Sequence, residues 1–205
     1  MSDEAKPAAV PAAAAPPEAT PATRPSLDRW LPGDPGPREQ IARILRVDHA
    51  GEYGARRIYE GQLAVLGRGP QAATLRQMHA QEKKHLDAFT RLIQQRRVRP
   101  TALVPLWHVA GFALGAATAL LGEKAAMACT QAVEEVIEQH YADQAAQLGD
   151  QEPELKATIE EFRADEIHHR DVAVAQGAAE APAYPLLTGA IKAGSRLAIW
   201  LSQRV

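Results

Sequence analysis

The stretch Ile41-Ala-Arg-Ile-Leu45-Arg-Val-Asp48-His-Ala-Gly-Glu52-Tyr-Gly-Ala55-Arg-Arg-Ile-Tyr59-Glu-Gly-Gln-Leu63 decides the fold. Steps of three and four pick out Ile41, Leu45, Asp48, Glu52, Ala55, Tyr59 and Leu63 as the buried stripe of a long helix. Two carboxylates stand where leucines belong. The same reading gives Leu75, Met78, Glu82, His85, Phe89 and Leu92 in a second helix. A third carries Met127, Thr130, Glu134, Ile137, Tyr141 and Leu148, and a fourth Leu155, Ile159, Phe162, Glu166, His169 and Ala173. Every helix has a carboxylate in mid-stripe, and two add a histidine one turn on.

Proline and glycine punctuate this pattern at Gly67/Gly69-Pro70, Pro100, Pro105, Gly149 to Pro153 and Pro182/Pro185. They leave helices over roughly 37–66, 71–97, 123–147 and 154–176, an apolar stretch at 101–121 and a last helix near 185–202. Pro70, with its fixed φ, is expected to start the second helix. A helix of 30 residues is about 45 Å long, so four such elements predict an antiparallel all-α bundle. Composition agrees. Hydrophobic residues make up 46% of the chain but aromatics only 5%, which suits alanine-rich helices better than strands.

An isolated ionised carboxylate in an apolar core costs several kcal/mol, and four together repel one another. None of the stripes offers a Lys or Arg as partner. Metal ions would relieve both penalties. One Glu on each of two helices and Glu-x-x-His on each of the other two supply six ligands for a pair of ions. These are Glu52, Glu82, His85, Glu134, Glu166 and His169. The mixed carboxylate and imidazole set suits iron or manganese. Cys129 is the single cysteine, which excludes a CxxC zinc site or a disulfide framework and fits a reducing compartment.

Random placement of the chain's Glu and His would give about half an E-x-x-H match, so the motif alone is weak. The repeat is stronger. Glu52 precedes Glu82 by 30 residues, Glu134 precedes Glu166 by 32, and the two E-x-x-H units lie 84 apart in both members. The chain reads as two hairpins, each carrying E…E-x-x-H. Glu138, one turn beyond Glu134, competes for its place but falls at the stripe's edge. Glu135 points about 100° away, and His168 is rotated off the stripe of His169. Glu60 and Glu160 read as solvated. Asp48 and Asp165 are candidate acceptors for the ligand imidazoles, with a plain surface role equally open to Asp165. Tyr141 either lines a substrate pocket or is a buried tyrosine with its hydroxyl satisfied. His49, His79, His108 and His140 have no companion at ligand spacing.

Four strings carry a resemblance: Arg46-Val-Asp-His-Ala-Gly-Glu-Tyr-Gly-Ala55, Glu82-Lys-Lys-His85, Ala128-Cys-Thr-Gln-Ala-Val-Glu-Glu135 and Asp165-Glu-Ile-His-His169. From about residue 38 to the C-terminus the sequence resembles the demethoxyubiquinone hydroxylase family of ubiquinone biosynthesis. The resemblance implies a ferritin-like di-iron monooxygenase with the same six ligands and two iron ions per chain. It implies O2-dependent hydroxylation of a polyprenyl methoxy-methyl-benzoquinol, with Glu82 and Glu166 expected to bridge the ions. A ferritin-like iron-handling protein without hydroxylase activity is the alternative.

Nine of the 15 prolines fall in the first 37 residues among alanine runs. Residues 1–36 therefore read as a disordered extension, and 37–205 as the di-iron domain. The extension has no continuous apolar core, so it is no secretory signal. With 23 Lys+Arg against 25 Asp+Glu, net charge −2, no nucleic-acid partner is expected.

Residues 100–122 contain no Asp, Glu, Lys or Arg. That length could span a bilayer, but one crossing would separate the second and third helices and keep their ligands from meeting. The segment reads instead as the apolar crossover helix of the bundle. With the amphipathic last helix, bearing Leu187, Ile191, Leu197 and Leu201 on one face, it makes a surface for lipid or a partner. The expectation is a peripheral protein on the cytoplasmic side of a bacterial cell membrane, meeting a membrane-confined quinol and other ubiquinone-biosynthesis proteins.

Overall fold

The computed structural model describes residues 35–205. The expected extension thus lies outside the described residues, apart from Pro35 and Gly36. Six helices follow: α1 (Pro37–Leu66), α2 (Ala72–Gln95), α3 (Val104–Leu120), α4 (Glu123–Leu148), α5 (Pro153–Ala175) and, after a 3₁₀ turn at Ala178–Glu180, α6 (Tyr184–Ser202). No strand occurs among the described residues. The fold is a helical bundle, as the periodicity predicts, and of the ferritin-like kind that the resemblance implies.

Boundaries fall within two residues of those expected, save that α3 begins three residues into the apolar 101–121 stretch, and with one correction. Pro70 does not open α2. It sits in the turn one residue before the N-cap Gln71, where Ala72 N–H donates to the Gly69 carbonyl at 3.1 Å. The helix starts where backbone donors are again available. Pro37 and Pro153 do occupy first-turn positions of α1 and α5, where a missing N–H costs nothing.

α1 pairs with α2 and α4 with α5, each pair joined by a short turn and hence antiparallel. α3 then runs back parallel to α1, and α6 parallel to α4, so the chain is two copies of one three-helix unit. Gly149, at φ +56, stops α4 at a positive φ that glycine adopts freely. Arg96 closes that end of the bundle by a bidentate pair to Glu152, both bonds 2.7 Å.

α1 and α3 approach so closely that only glycine fits. A Cβ on Gly115 would lie 2.0 Å from the Ile58 carbonyl oxygen, and one on Gly61 2.2 Å from that of Phe112. Three apolar clusters fill the bundle, one at each end and a third with Ile58, Val133 and Ile191 on the α6 side. Leu45, Phe89, Leu155 and Ile159 pack one end; Leu75, Met78, Met127 and Ala173 pack the other. Water is thereby kept from the layer between them, where the carboxylates lie.

The tight crossing generates a prediction. Gly115→Ala should lower unfolding stability by about 1–3 kcal/mol, the usual cost of overpacking. Gly189→Ala on exposed α6, where an added Cβ meets nothing within 4 Å, should instead raise it by about 0.5–1 kcal/mol. Denaturant melts of the two variants check both signs.

Candidate metal centre

Mid-helix spacing delivers the six residues from four helices to one buried layer. Glu52 comes from α1, Glu82 and His85 from α2, Glu134 from α4, and Glu166 and His169 from α5; all are almost fully buried. They form two overlapping groups, Glu52/Glu82/His85/Glu166 and Glu82/Glu134/Glu166/His169. In each group one ligand atom per residue lies within 4.8 Å of the others. Glu82 and Glu166 belong to both.

Atoms facing the centre lack hydrogen-bond partners, while those facing away have them. Glu52 Oε2, both oxygens of Glu82 and Glu166, Glu134 Oε2 and the Nδ1 atoms of His85 and His169 are buried and unpartnered. Outward, Tyr59 O–H donates to Glu134 Oε1 at 2.7 Å, and Tyr141 O–H donates to Glu52 Oε1. His85 Nε2 meets Asp165 Oδ2 at 2.9 Å, and His169 Nε2 meets Gln81 Oε1 at 3.0 Å. Both acceptors require the proton on Nε2, which leaves Nδ1 free to ligate. A buried layer of inward lone pairs with satisfied outer edges fits a pair of divalent ions.

Charge balance says the same. Burial lifts Glu82 and Glu134 well above the ordinary carboxyl range, and repulsion from Glu166 lifts them further. Burial also works against ionising Glu166, yet the His169 and His85 imidazoles beside it, 3.4 and 3.2 Å away, hold it at about 2. His85 is raised to about 12 because Glu166 and Glu52 override the burial that opposes its charge. Protons thus occupy the place that dications would take, and ion and proton compete there.

The neighbours sort clearly. Glu138 lies outside the layer, paired with Arg163 at 2.6 Å, so Glu134 rather than Glu138 faces the centre. Glu135 pairs with Lys192 on α6, and Glu60 with Arg56 and Arg57. Asp165 sits against the His85 imidazole. Asp48 does not reach either imidazole; it accepts from Gln144 Nε2 at 2.7 Å, with His140 Nε2 3.7 Å away. It lies about one turn beyond the layer, too far along α1 to touch His85 or His169. Burial raises its carboxyl well above the ordinary range. Tyr141 is buried with its hydroxyl engaged by Glu52 and is not among the residues lining the apolar cavity beside α3 and α6.

Tyr59, Gln81, Gln62 and Gln144 carry structural roles that stripe reading alone leaves unassigned. The repeat contains the signal. A shift of 82 residues takes Glu52 to Glu134, Tyr59 to Tyr141 and Gln62 to Gln144; a shift of 84 takes Gln81 to Asp165. Gln62 Nε2 donates to Thr130 Oγ1 at 3.3 Å, the counterpart of Gln144 on Asp48.

Beside this layer lies an apolar cavity of about 370 Å³ between α1, α3, α4 and α6. Gly51 and Ala55, flanking Glu52, and Val133 and Ile137, around Glu134, form the wall nearest the centre. Beyond it α3 and α6 leave Leu106, Val109, Leu120, Leu186, Leu197 and Trp200 half or more exposed. No helix among the described residues is long and apolar enough to cross a membrane.

Comparison with known proteins bears on the same residues. A family model described as "Ubiquinone biosynthesis protein COQ7" matches residues 39–202. The chain is 62% identical over 183 residues to a 3-demethoxyubiquinol 3-hydroxylase of Rhodospirillum rubrum, covering 89% of this chain and 86% of that one. It is 52% identical over 172 residues to the human protein named NADPH-dependent 3-demethoxyubiquinone 3-hydroxylase, mitochondrial, covering 82% and 79%. The 5-demethoxyubiquinone hydroxylase, mitochondrial, of Saccharomyces cerevisiae is 42% identical over 182 residues, covering 80% and 78%. With the match running the length of the bundle that bears the buried carboxylates, this chain belongs to the ubiquinone biosynthesis protein COQ7 family.

Proposed function

We propose that this protein hydroxylates the ring of a polyprenyl methoxy-methyl-benzoquinol, demethoxyubiquinol, with O2 at a di-iron centre in ubiquinone biosynthesis. The observation that carries this reading is the buried pair of ligand groups sharing Glu82 and Glu166 against an apolar cavity. Relatives at 62% and 52% identity whose names state that hydroxylation support it. An iron-storing protein would have use for the ligands but none for the cavity.

In this reading Glu52, Glu82 and His85 with Glu166 hold one iron, and Glu134 and His169 with the same Glu82 and Glu166 hold the other. The iron pair supplies O2 activation. The chain's own residues supply the rest. Tyr59 and Tyr141 fix one oxygen each of Glu134 and Glu52, so each carboxylate presents its other oxygen inward. Glu82 and Glu166, whose four oxygens have no hydrogen-bond partner and which belong to both ligand groups, would serve both irons. The apolar clusters exclude water. The cavity, within the usual 300–1,000 Å³ of small-molecule sites, receives the quinol ring beside Glu52 and Glu134.

The exposed apolar residues of α3 and α6 rest in this reading on the membrane, from which a long-tailed quinol enters between those helices. The di-iron domain in this reading is residues 37–205, with 1–36 an extension to it.

The deciding experiment is anaerobic loading with ferrous iron, then O2 and a demethoxyquinol, with product mass as readout. A gain of one oxygen atom is expected, and an unchanged quinol from a protein holding two irons overturns the proposal. Glu166→Ala or His169→Ala should abolish iron binding and activity while circular dichroism retains most of the helix signal. Glu138→Gln should keep both. Gly51→Leu, filling open space in the cavity wall, should lower kcat/KM about tenfold or more with two irons still bound. Val109→Glu with Leu197→Glu should release the protein from lipid vesicles in flotation assays without changing iron content.

A further inference from the structure

The two ligand groups mirror each other in their six ligands, and differ in charge in what stands behind the histidines. Each terminal glutamate is held by a tyrosine, Tyr141 on Glu52 and Tyr59 on Glu134, so that pair of contacts treats the sides alike. The imidazoles are treated differently. His85 Nε2 gives its proton to the carboxylate of Asp165, 2.9 Å away. His169 Nε2 gives its proton to the amide oxygen of Gln81, 3.0 Å away. Asp165 and Gln81 hold equivalent places in the repeat, each just before the Glu of an E-x-x-H unit and each reaching across to the other unit's histidine. Position, reach and length of bond match; only the charge differs.

A carboxylate behind an imidazole draws its proton and makes the opposite nitrogen a stronger donor, whereas a neutral amide only orients the ring. Both Nδ1 atoms face the centre without a hydrogen-bond partner, so the difference is delivered where an ion would sit. Both acceptors are half-buried, and the Asp165 side chain is 39% exposed, so water reaches it. An equivalent charge at Gln81 would add another carboxylate to a centre already crowded with four.

We propose that Asp165 and Gln81 are positioning residues that make the two metal positions unequal, the position beside His85 binding its ion more tightly and filling first. This rests on the di-iron reading above and adds to it an order of occupancy. The ion beside His169 is the one given up first on dilution or chelation.

Manganous ion alone, added to the full chain, tests this without turnover. Calorimetric titration of the wild type should resolve two binding steps differing about 10- to 100-fold, the usual effect of such an outer partner. Crystals holding one equivalent should show stronger anomalous density beside His85 than beside His169. Asp165→Asn keeps the hydrogen bond and removes the charge, so the two steps should converge. Gln81→Glu should tighten the weaker step, and Asp165→Asn with Gln81→Glu should move the stronger density beside His169. Equal occupancy in the wild type, or an occupancy ratio unmoved by these exchanges, overturns the proposal while leaving two bound ions intact. A wild-type chain that binds no ion in this layer would sink the di-iron reading and this one together.

Discussion

Four carboxylates cannot share a dry interior on their own terms. The rest of the bundle is arranged around that constraint. Desolvation and mutual repulsion each cost several kcal/mol per charge, and the structure offers Glu52, Glu82, Glu134 and Glu166 no lysine or arginine within their layer. What it offers are two imidazoles, two phenol hydroxyls and unpartnered lone pairs aimed at a common centre. The apolar clusters on either side keep water from relieving the strain, and the same dryness strengthens any dication's hold.

Much of this was legible in the sequence because helices translate spacing into direction. Glutamate in the place of leucine along a stripe is visible without coordinates, and the E-x-x-H repeat ties two such stripes into one centre. The exclusion of Glu138 was harder, because one turn separates it from Glu134 on nearly the same face; its partner Arg163 lies on another helix. Asp48 was misread as an acceptor for an imidazole because the axial distance along α1 to that partner is not encoded in face alone. Gln81 escaped notice and Tyr59 was read only as a stripe residue, since neither glutamine nor tyrosine announces metal chemistry. Only carrying the internal repeat past the obvious ligands exposes them.

The glycines of α3 illustrate a different limit. Along the sequence Gly111 and Gly115 are merely two helix-weakening residues in an apolar stretch. In the fold they let α3 lie directly on the backbone of α1, which seats an apolar helix along the side of the bundle with its outer face uncovered. One physical property, the absence of a side chain, reads as breaker or as contact depending on a neighbour that the sequence does not name.

The crosswise bracing has a consequence for how the molecule fails. Tyr141 belongs to the second unit yet steadies the glutamate of the first, and Tyr59 does the reverse; the histidines are tied across in the same manner. Neither hairpin can loosen without disarming its neighbour. Damage at one side is therefore shared, and the protein has no half-working form to fall back upon.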